Sequence, residues 1–366
     1  MKIAILSNFS HPSICGVWTR AKQEAELLAK RHEVRIFSSN SIKGTKLRSE
    51  KEETLGNLKI ARFPSIKLGG ESFLYWNFTK EILKFKPDII IAHSYRQLHT
   101  TKALSIAKKL KCKVFLVTHA PFVEGNITRT LPAKIAVKFY DKFVATITIN
   151  KFDKIIAITK WEIPYLLKLG AKKDKIVYIP NGVPDKFFTQ KKSTENKKIL
   201  FLGRIAPIKD IETLIRAMRL LKDKEINLEI VGPAEEEYLK KLKFNIKGDK
   251  RITFTKPIYN IEDKIKKIDS AKIFVLPSIR ESMPQSLIEA MAREKIAISS
   301  NNIGARDLIE DGKNGYLFKV GDYKELAQKI NQALKNNSKI GKEAKKSVEK
   351  FSWGKVIQDM IKLIEN

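Results

Sequence analysis

Two glutamates eight positions apart, Glu281 and Glu289, bracket the stretch Ser282-Met283-Pro284-Gln285-Ser286-Leu287. Behind it Leu287, Ile288 and Met291 recur at helical spacing, and ahead of it Lys272 to Leu276 is an apolar run of strand length. The stretch therefore reads as strand, turn and helix. Ser282 and Gln285 have the spacing of a capping box, and Pro284 would stand in a first turn that has no helical bond to lose, so a helix is expected to begin there. Glu281 would then lie just before the helix and Glu289 about two turns inside it. A helix start presents free backbone N–H groups and the positive end of a dipole, which suit a phosphate. Carboxylates beside an anion site cannot ligate the anion themselves; they are suited to accept hydrogen bonds from hydroxyls, such as those of a ribose or a hexose. An ordinary capped helix with solvated glutamates would leave the same pattern, and these residues alone do not separate the two readings.

Further groups stand where strands end. Gly203-Arg204, with Lys209 five residues on, follows the apolar run Ile199 to Leu202. Arg204 offers a bidentate fork and Lys209 a point charge, a suitable pair for a diphosphate. Two more strand-like runs end in histidine, His93 and His119. A histidine at the carboxyl end of a parallel strand is placed for chemistry, although a structural role is commoner.

The elements that must position these groups alternate along the whole chain. Lys2 to Ser7, Glu33 to Phe37, Asp88 to Ala92, Val114 to Val117, Lys154 to Ile158 and Ile176 to Ile179 read as strands separated by helix-length segments, the first of them Trp18 to Lys30. This is βαβ patterning and implies a mainly parallel sheet, whose carboxyl edge binds ligands. The loop Asn8 to Gly16 lies at that edge and contains no G-x-G-x-x-G, which disfavours a dinucleotide cofactor. Asn181-Gly-Val-Pro-Asp185 and the polar, lysine-rich Gln190 to Lys198 interrupt the pattern, and the domain boundary is placed there. A second series follows, with strands at Ile199–Leu202, Leu228–Val231, Ile252–Phe254, Ile273–Leu276 and Ile296–Ser299 and helices near 210–221, 235–242 and 261–268. The fold class expected is α/β, with two Rossmann-like doubly wound domains, residues 1–185 and 186–351, facing each other across a cleft that holds the substrate.

Composition sets the class. A chain of 366 residues with 43% hydrophobic and 30% charged residues is that of a globular protein with sizeable cores. No apolar run reaches the length of a membrane span, and the chain opens directly on a strand-like segment, so a cytoplasmic location is the default expectation. Cys15 and Cys112 lack metal-ligand spacing, and no disulfide is expected between them. Lysine and arginine exceed aspartate and glutamate by 71 − 40 = 31. Residues 1–190 hold 34 basic and 15 acidic groups, the remainder 37 and 25, so the excess leans toward the first half. Such a balance suits anionic substrates, an anionic membrane face or nucleic acid. The last would require basic groups interleaved with stacking aromatics or a known module, and neither is visible, so no nucleic acid partner is expected. Arg129 to Ile149 mixes Lys134, Lys138 and Lys142 with Ile135, Phe139, Tyr140 and Phe143. The favoured arrangement is a helix that packs its apolar stripe inward and solvates its lysines; the alternative rests it on an anionic membrane surface.

Taken together, Gly203-Arg204, Lys209 and Glu281 to Glu289 resemble the retaining glycosyltransferases of family 4, which have the GT-B fold. Thr118-His119, Ile179-Pro-Asn-Gly-Val183, Leu276-Pro-Ser278, Ile303-Gly304 and Leu308-Ile-Glu-Asp-Gly-Lys-Asn-Gly-Tyr-Leu317 match in the expected order across nearly the whole chain. The resemblance implies transfer of a sugar from a nucleotide-diphosphate donor to a glycan, lipid-linked or small acceptor, with retention of configuration and no metal or cofactor. By the same resemblance Arg204 and Lys209 bind the donor diphosphate, Glu289 accepts from the ribose hydroxyls, and Glu281 faces the donor sugar. Ser282 to Leu287 would supply backbone donors to sugar and phosphate, His119 would stand near the attacked carbon, and Gly16 would approach the diphosphate. Cys15 departs from the glycine often found before Gly16, and Thr255-Lys-Pro257 departs from a glycine common after that strand. His93 acquires no role. The terminal helix, 352–366, is expected to cross back to the first domain. A sugar-nucleotide 2-epimerase on the same fold is the alternative activity, and a basic nucleic-acid-binding protein a more distant one.

Overall fold

A computed structural model of the protein describes residues 1–13, 15–69, 73–122, 131–189, 196–246, 248–335 and 339–365. They form two compact units, Met1–Asn181 with Val356–Asn366, and Gly182–Lys355. Residues 190–195 of the expected polar linker lie outside the described residues, and the rest of it begins the second unit's first strand.

In the first unit the chain runs through β1 (Lys2–Ser7), α1 (Gly16–Leu28), β2 (Glu33–Ser39), β3 (Glu52–Leu55), β4 (Leu58–Phe63), β5 (Ser65–Gly69), β6 (Phe73–Trp76) and α2 (Thr79–Phe85). It continues through β7 (Ile89–His93), α3 (Leu98–Leu110), β8 (Lys113–Val117), α4 (Leu131–Phe139), α5 (Thr146–Thr148), β9 (Lys154–Ala157), α6 (Ile163–Lys168) and β10 (Ile176–Tyr178). Eight of these strands form one sheet in the order β10-β9-β8-β7-β1-β2-β4-β3, parallel except for the edge strand β3, while β5 and β6 form a separate hairpin. The strands β1, β7 and β8 are almost wholly apolar because helices cover both faces of a parallel sheet.

The second unit comprises β11 (Asn196–Leu202), α7 (Ile211–Leu220), β12 (Asn227–Val231), α8 (Glu236–Asn245), β13 (Ile252–Thr255), α9 (Ile261–Asp269) and β14 (Ala271–Leu276). It goes on through α10 (Gln285–Ala292), β15 (Ile296–Ser300), α11 (Ile303–Arg306), β16 (Tyr316–Phe318), α12 (Tyr323–Lys335) and α13 (Lys339–Val348). Its six strands are all parallel in the order β13-β12-β11-β14-β15-β16. Numbered within the unit this is 3-2-1-4-5-6, the doubly wound order whose direction reverses between the first and fourth strands. The final helix, α14 (Trp353–Glu365), starts in the second unit and belongs from Val356 to the first.

Two local expectations are corrected. Helix α10 begins at Gln285, with Pro284 in extended conformation before it (ψ 96°) and no side-chain cap, so Ser282 and Gln285 form no capping box. Proline disfavours helical geometry at the residue ahead of it, and that excludes a start at Met283. Glu289 consequently lies one turn inside the helix, not two. The second correction concerns the basic helix, of which residues 129 and 130 lie outside the described residues. Its apolar stripe does not pack inward: Leu131, Ile135, Phe139, Phe143 and Ile147 are all exposed, and none of α4 is buried. The polar side faces the domain instead. Asp141 accepts from Arg96 Nε at 2.8 Å and Nη2 at 2.5 Å and from Tyr95 Oη at 3.0 Å, and Tyr140 Oη lies 3.2 Å from Thr101 Oγ1.

Candidate active site

In the second unit the loops that follow β11 and β14 flank the point where strand order reverses, the place where such sheets bind ligands. The first loop carries Gly203, Arg204 and Lys209; the second carries Glu281. Ile279 N–H donates to Ile208 O at 3.0 Å and draws the loops together. Lys209 Nζ reaches Glu281 Oε1 at 2.5 Å. The second loop is fixed from below. Ser300 Oγ and Asn302 Nδ2 both donate to Ser278 O. Gly304 is pressed so closely on the loop that a Cβ there would stand 2.7 Å from the carbonyl oxygens of Glu281 and Ser282. On the other side, a Cβ on Gly232 would stand 1.9 Å from Gly203 O, and Gly203 N–H donates to Val231 O at 3.0 Å.

Helix α10 starts where this loop ends. As its first residues, Gln285 and Ser286 have no carbonyl one turn earlier in the helix to bond, whereas Leu287 N–H donates to Pro284 O at 3.1 Å and its side chain is buried. Gln285 turns its amide toward Gly182 O, 3.4 Å away. Met283 and Ser286 are half-buried beside it. Glu289 is buried against Lys264 of α9, whose Nζ lies 2.6 Å from Oε1 and 2.5 Å from Oε2. A carboxylate has about four lone-pair directions, so one ammonium leaves acceptor capacity for hydroxyls. Arg204 is set apart from these pairs: its side chain is 62% exposed and meets Glu235 Oε1 at 3.4 Å. An exposed pair of this kind is held by ~1 kcal/mol or less, and a diphosphate can compete for the guanidinium.

In the first unit the strands β7 and β8 deliver His93 and His119 to one edge of the sheet, where the His93 Nδ1 to His119 Nε2 distance is 3.0 Å. His93 Nε2 lies 3.2 Å from Glu24 Oε2. Arg20, one turn earlier on α1, holds Glu24 Oε1 with Nε and Nη2, both at 2.7 Å, and turns Nη1 to Ile179 O and Asn181 Oδ1. Arg20, Glu24 and His93 are buried. Burial alone would raise the Glu24 carboxyl, but the Arg20 guanidinium and His93 overcome it and hold Glu24 below its ordinary range. Burial, with His93 and Arg20 nearby, holds His119 well below the ordinary 6.5, so it is neutral at physiological pH.

Glu24, held ionised by Arg20, stands at one end of this line and the neutral His119 at the other. Across the 3.0 Å contact one ring nitrogen donates and the other accepts, so the tautomer of either histidine sets that of the other. His119 and Ala120 both adopt the left-handed region, φ 61° and 47°, a conformation that costs energy outside glycine. Glu162 holds the turn, accepting from Thr118 Oγ1 at 2.7 Å and from the N–H groups of Ile158 and Thr159. Gly16 opens α1, and a Cβ there would meet nothing within 4 Å. Packing within the protein gives no reason for a glycine at that position.

Of the residues singled out from sequence, Lys209 and Glu281 come together, and the 282–287 stretch leads into the helix that carries Glu289. His119 acquires as its partner His93, singled out from sequence but given no role, and behind it Glu24 and Arg20, which sequence reading missed. Lys264 was missed as well.

A sequence model of the glycosyl transferases group 1 matches residues 183–350, and one of glycosyltransferase family 4 matches residues 14–187. The chain is 27% identical to an uncharacterized glycosyltransferase of Methanocaldococcus jannaschii, MJ1069, over all of this chain and 98% of that protein. It is 25% identical, over 93% of its length and 92% of the other, to a Campylobacter jejuni α-1,4-N-acetyl-D-galactosaminyltransferase named for a diphosphate-undecaprenol-linked saccharide. Among solved structures, Anabaena HepE in complex with UDP superposes with a TM-score of 0.77 at 16% identity, covering 100% of both chains. With the two models meeting at the junction of the units and together spanning residues 14–350, the chain belongs to the group 1 glycosyltransferases and has their GT-B fold of two Rossmann-like domains.

Proposed function

We propose that the protein transfers a sugar from a nucleoside diphosphate to a hydroxyl of a glycan or lipid-linked acceptor, with retention of configuration and without a metal. The observation that carries this reading is the switch-point arrangement of the second unit: a lysine–glutamate pair, Lys209 and Glu281, beside a helix start, with the buried Glu289 one turn inside that helix. In this proposal Lys209, Arg204 and the first N–H groups of α10 meet the negative charge that grows on the departing diphosphate. Glu289 accepts from the ribose hydroxyls and Glu281 from those of the sugar. The bond from the anomeric carbon to the diphosphate oxygen breaks, the bond to the acceptor oxygen forms on the same face, and the acceptor's proton leaves with the diphosphate. His119, neutral, hydrogen-bonds a hydroxyl of the transferred sugar through Nδ1, the nitrogen turned away from His93, and Gly16 leaves room for the diphosphate at the start of α1. The UDP bound by HepE and the lipid-linked saccharide in the Campylobacter protein's name favour a nucleoside diphosphate donor and such an acceptor.

Calorimetric titration of UDP, GDP and ADP into wild type and Glu289→Ala tests the donor site. One nucleotide should bind wild type and lose tenfold or more in the variant; equal affinity in the two proteins, or no binding by wild type, would sink the assignment. Incubating the matching sugar nucleotide without acceptor should leave it unconverted, since conversion alone identifies an epimerase. Activity should survive a chelator.

A further inference from the structure

We propose that the helical stretch from Leu131 to Ile147 is a docking surface for an anionic lipid bilayer. Its five large apolar side chains, Leu131, Ile135, Phe139, Phe143 and Ile147, recur every fourth residue and are 51–71% exposed. In an α-helix each such step overshoots one turn by about 40°, so five residues would spread over about 160° of the surface. Residues Tyr140–Ala145 are instead π-helical. Hydrogen bonds that span five residues turn each residue through a smaller angle. The wider winding brings Phe143 and Ile147 back toward the line of Leu131 and Ile135, and the stripe is narrowed.

That face is turned outward by design of the opposite side. Asp141 is clamped by Arg96 and Tyr95, and Ala145 and Ile149 supply the buried contacts. A surface helix of a globular domain normally does the reverse. Lys134, Lys138 and Lys142, all exposed, follow one edge of the stripe at the same spacing of four. An apolar stripe edged by lysines is complementary to acyl chains below anionic headgroups, whereas a protein partner or a second copy would require no such row of like charges.

A second observation extends the surface. The β5–β6 hairpin exposes Ile66, Leu68, Phe73 and Tyr75. It and the helix flank the same end of α3: Lys102 Nζ lies 5.8 Å from the centre of the Tyr75 ring, while its neighbour Thr101 holds Tyr140. The two apolar patches are therefore neighbours on one unit. Among the described residues no helix is long and apolar enough to cross a membrane, so this contact is one of surface adsorption.

Co-sedimentation of the full chain with vesicles of phosphatidylcholine alone, and of phosphatidylcholine mixed with phosphatidylglycerol, tests the proposal. Wild type should partition into the mixed vesicles at least tenfold more strongly, and added salt should weaken it. Lys134→Glu/Lys138→Glu/Lys142→Glu should abolish the preference for anionic vesicles, and Phe139→Ser/Phe143→Ser should lower partition tenfold or more even at low salt. Both variants alter exposed side chains, so their melting should match wild type, and nucleotide binding should be unchanged. Equal binding of wild type to both vesicles, unaltered binding of either variant, or a dimer in solution that the phenylalanine variant dissociates would overturn the proposal. None of these outcomes bears on the donor site, which stands or falls on nucleotide titration.

Discussion

All five histidines of the chain lie in the first unit and none in the second, and the charged groups at the two sheet edges differ accordingly. The first unit buries Arg20, Glu24 and His93 completely and uses them to orient a single group, His119. At its candidate site the second keeps three cations partly open: the side chains of Lys209 and Lys264 are 19% and 22% exposed, and that of Arg204 is 62% exposed. A buried network cannot exchange partners without leaving a charge unpaired, so it fixes a ring position. Half-open ion pairs can exchange a carboxylate for a phosphate or a hydroxyl. The difference teaches that one edge is built to hold its geometry and the other to be rearranged by a ligand.

The sharpest way to break this contrast is Arg20→Ala. Removing one partner of a buried ion pair leaves Glu24 uncompensated, at a cost of about 3–5 kcal/mol. Hydrogen exchange resolved by unit should show the loss across the first unit only. A loss below about 1 kcal/mol would mean that the network is open to water.

Acid should separate the units next. Burial holds His99, hydrogen-bonded to His93 O at 2.9 Å, down at about 4, and His119 and Glu24 also sit below their ordinary ranges. Each group binds its proton more readily when unfolded than when folded. The stability contributed by the histidines is therefore fully present above about pH 6.5 and is lost as pH falls through 6 toward 4, with Glu24 adding its share below about 4.5. Glu162 opposes them, because burial raises its carboxyl to about 7 and its proton stabilises the fold as pH falls below that. With two histidines against one carboxyl, the first unit should still lose about 1–2 kcal/mol of protection between pH 7 and pH 5, while the second should not. Equal loss in both units would contradict the buried-histidine account.

Gly304→Ala probes the second unit in the same way. Its Cβ would stand 2.7 Å from two carbonyls of the loop that carries Glu281. Overpacking of this kind costs about 1–3 kcal/mol, and since the loop must shift, nucleotide affinity should fall about tenfold. Gly16→Ala, with open space around it, should leave stability untouched. If Gly304→Ala keeps full nucleotide affinity, the loop is not the donor's cradle.

Much of this was legible because parallel strands buried on both faces appear as short apolar runs, so Ile273 to Leu276 and Ile296 to Ser299 could be placed to within two residues of β14 and β15. The edge strand β3, Glu-Glu-Thr-Leu, carries no such run and went unread. Lys209 and Glu281 were legible because each stands just after a strand. The Arg20–Glu24 pair was not, since charged residues four apart on a helix normally signal a solvated face. One signal was available: both lie among Ala21, Ala25 and Leu28, on the face that α1 buries. His93 could not be understood alone, because its partner is 69 positions away and only the sheet order brings it near. Lys264 looked like one lysine among several. The capping box failed on Pro284, whose effect on the preceding residue outweighs a matching pair of side chains.

The smallest effect should come from the most exposed pair. Glu235 holds Arg204 at 3.4 Å with both side chains about half open to solvent, 62% and 49% exposed. Glu235→Gln removes a contact worth ~1 kcal/mol or less, so the melting of the second unit should not change measurably. If Arg204 exchanges Glu235 for the diphosphate, the same substitution releases it in advance, and nucleotide affinity should rise by up to about fivefold. Arg204→Gln should lower it by more, because a charge-assisted bidentate contact is lost. A fall in affinity with Glu235→Gln would show that Glu235 positions the guanidinium for the ligand. The second unit would then share, at this one residue, the pre-set character of the first.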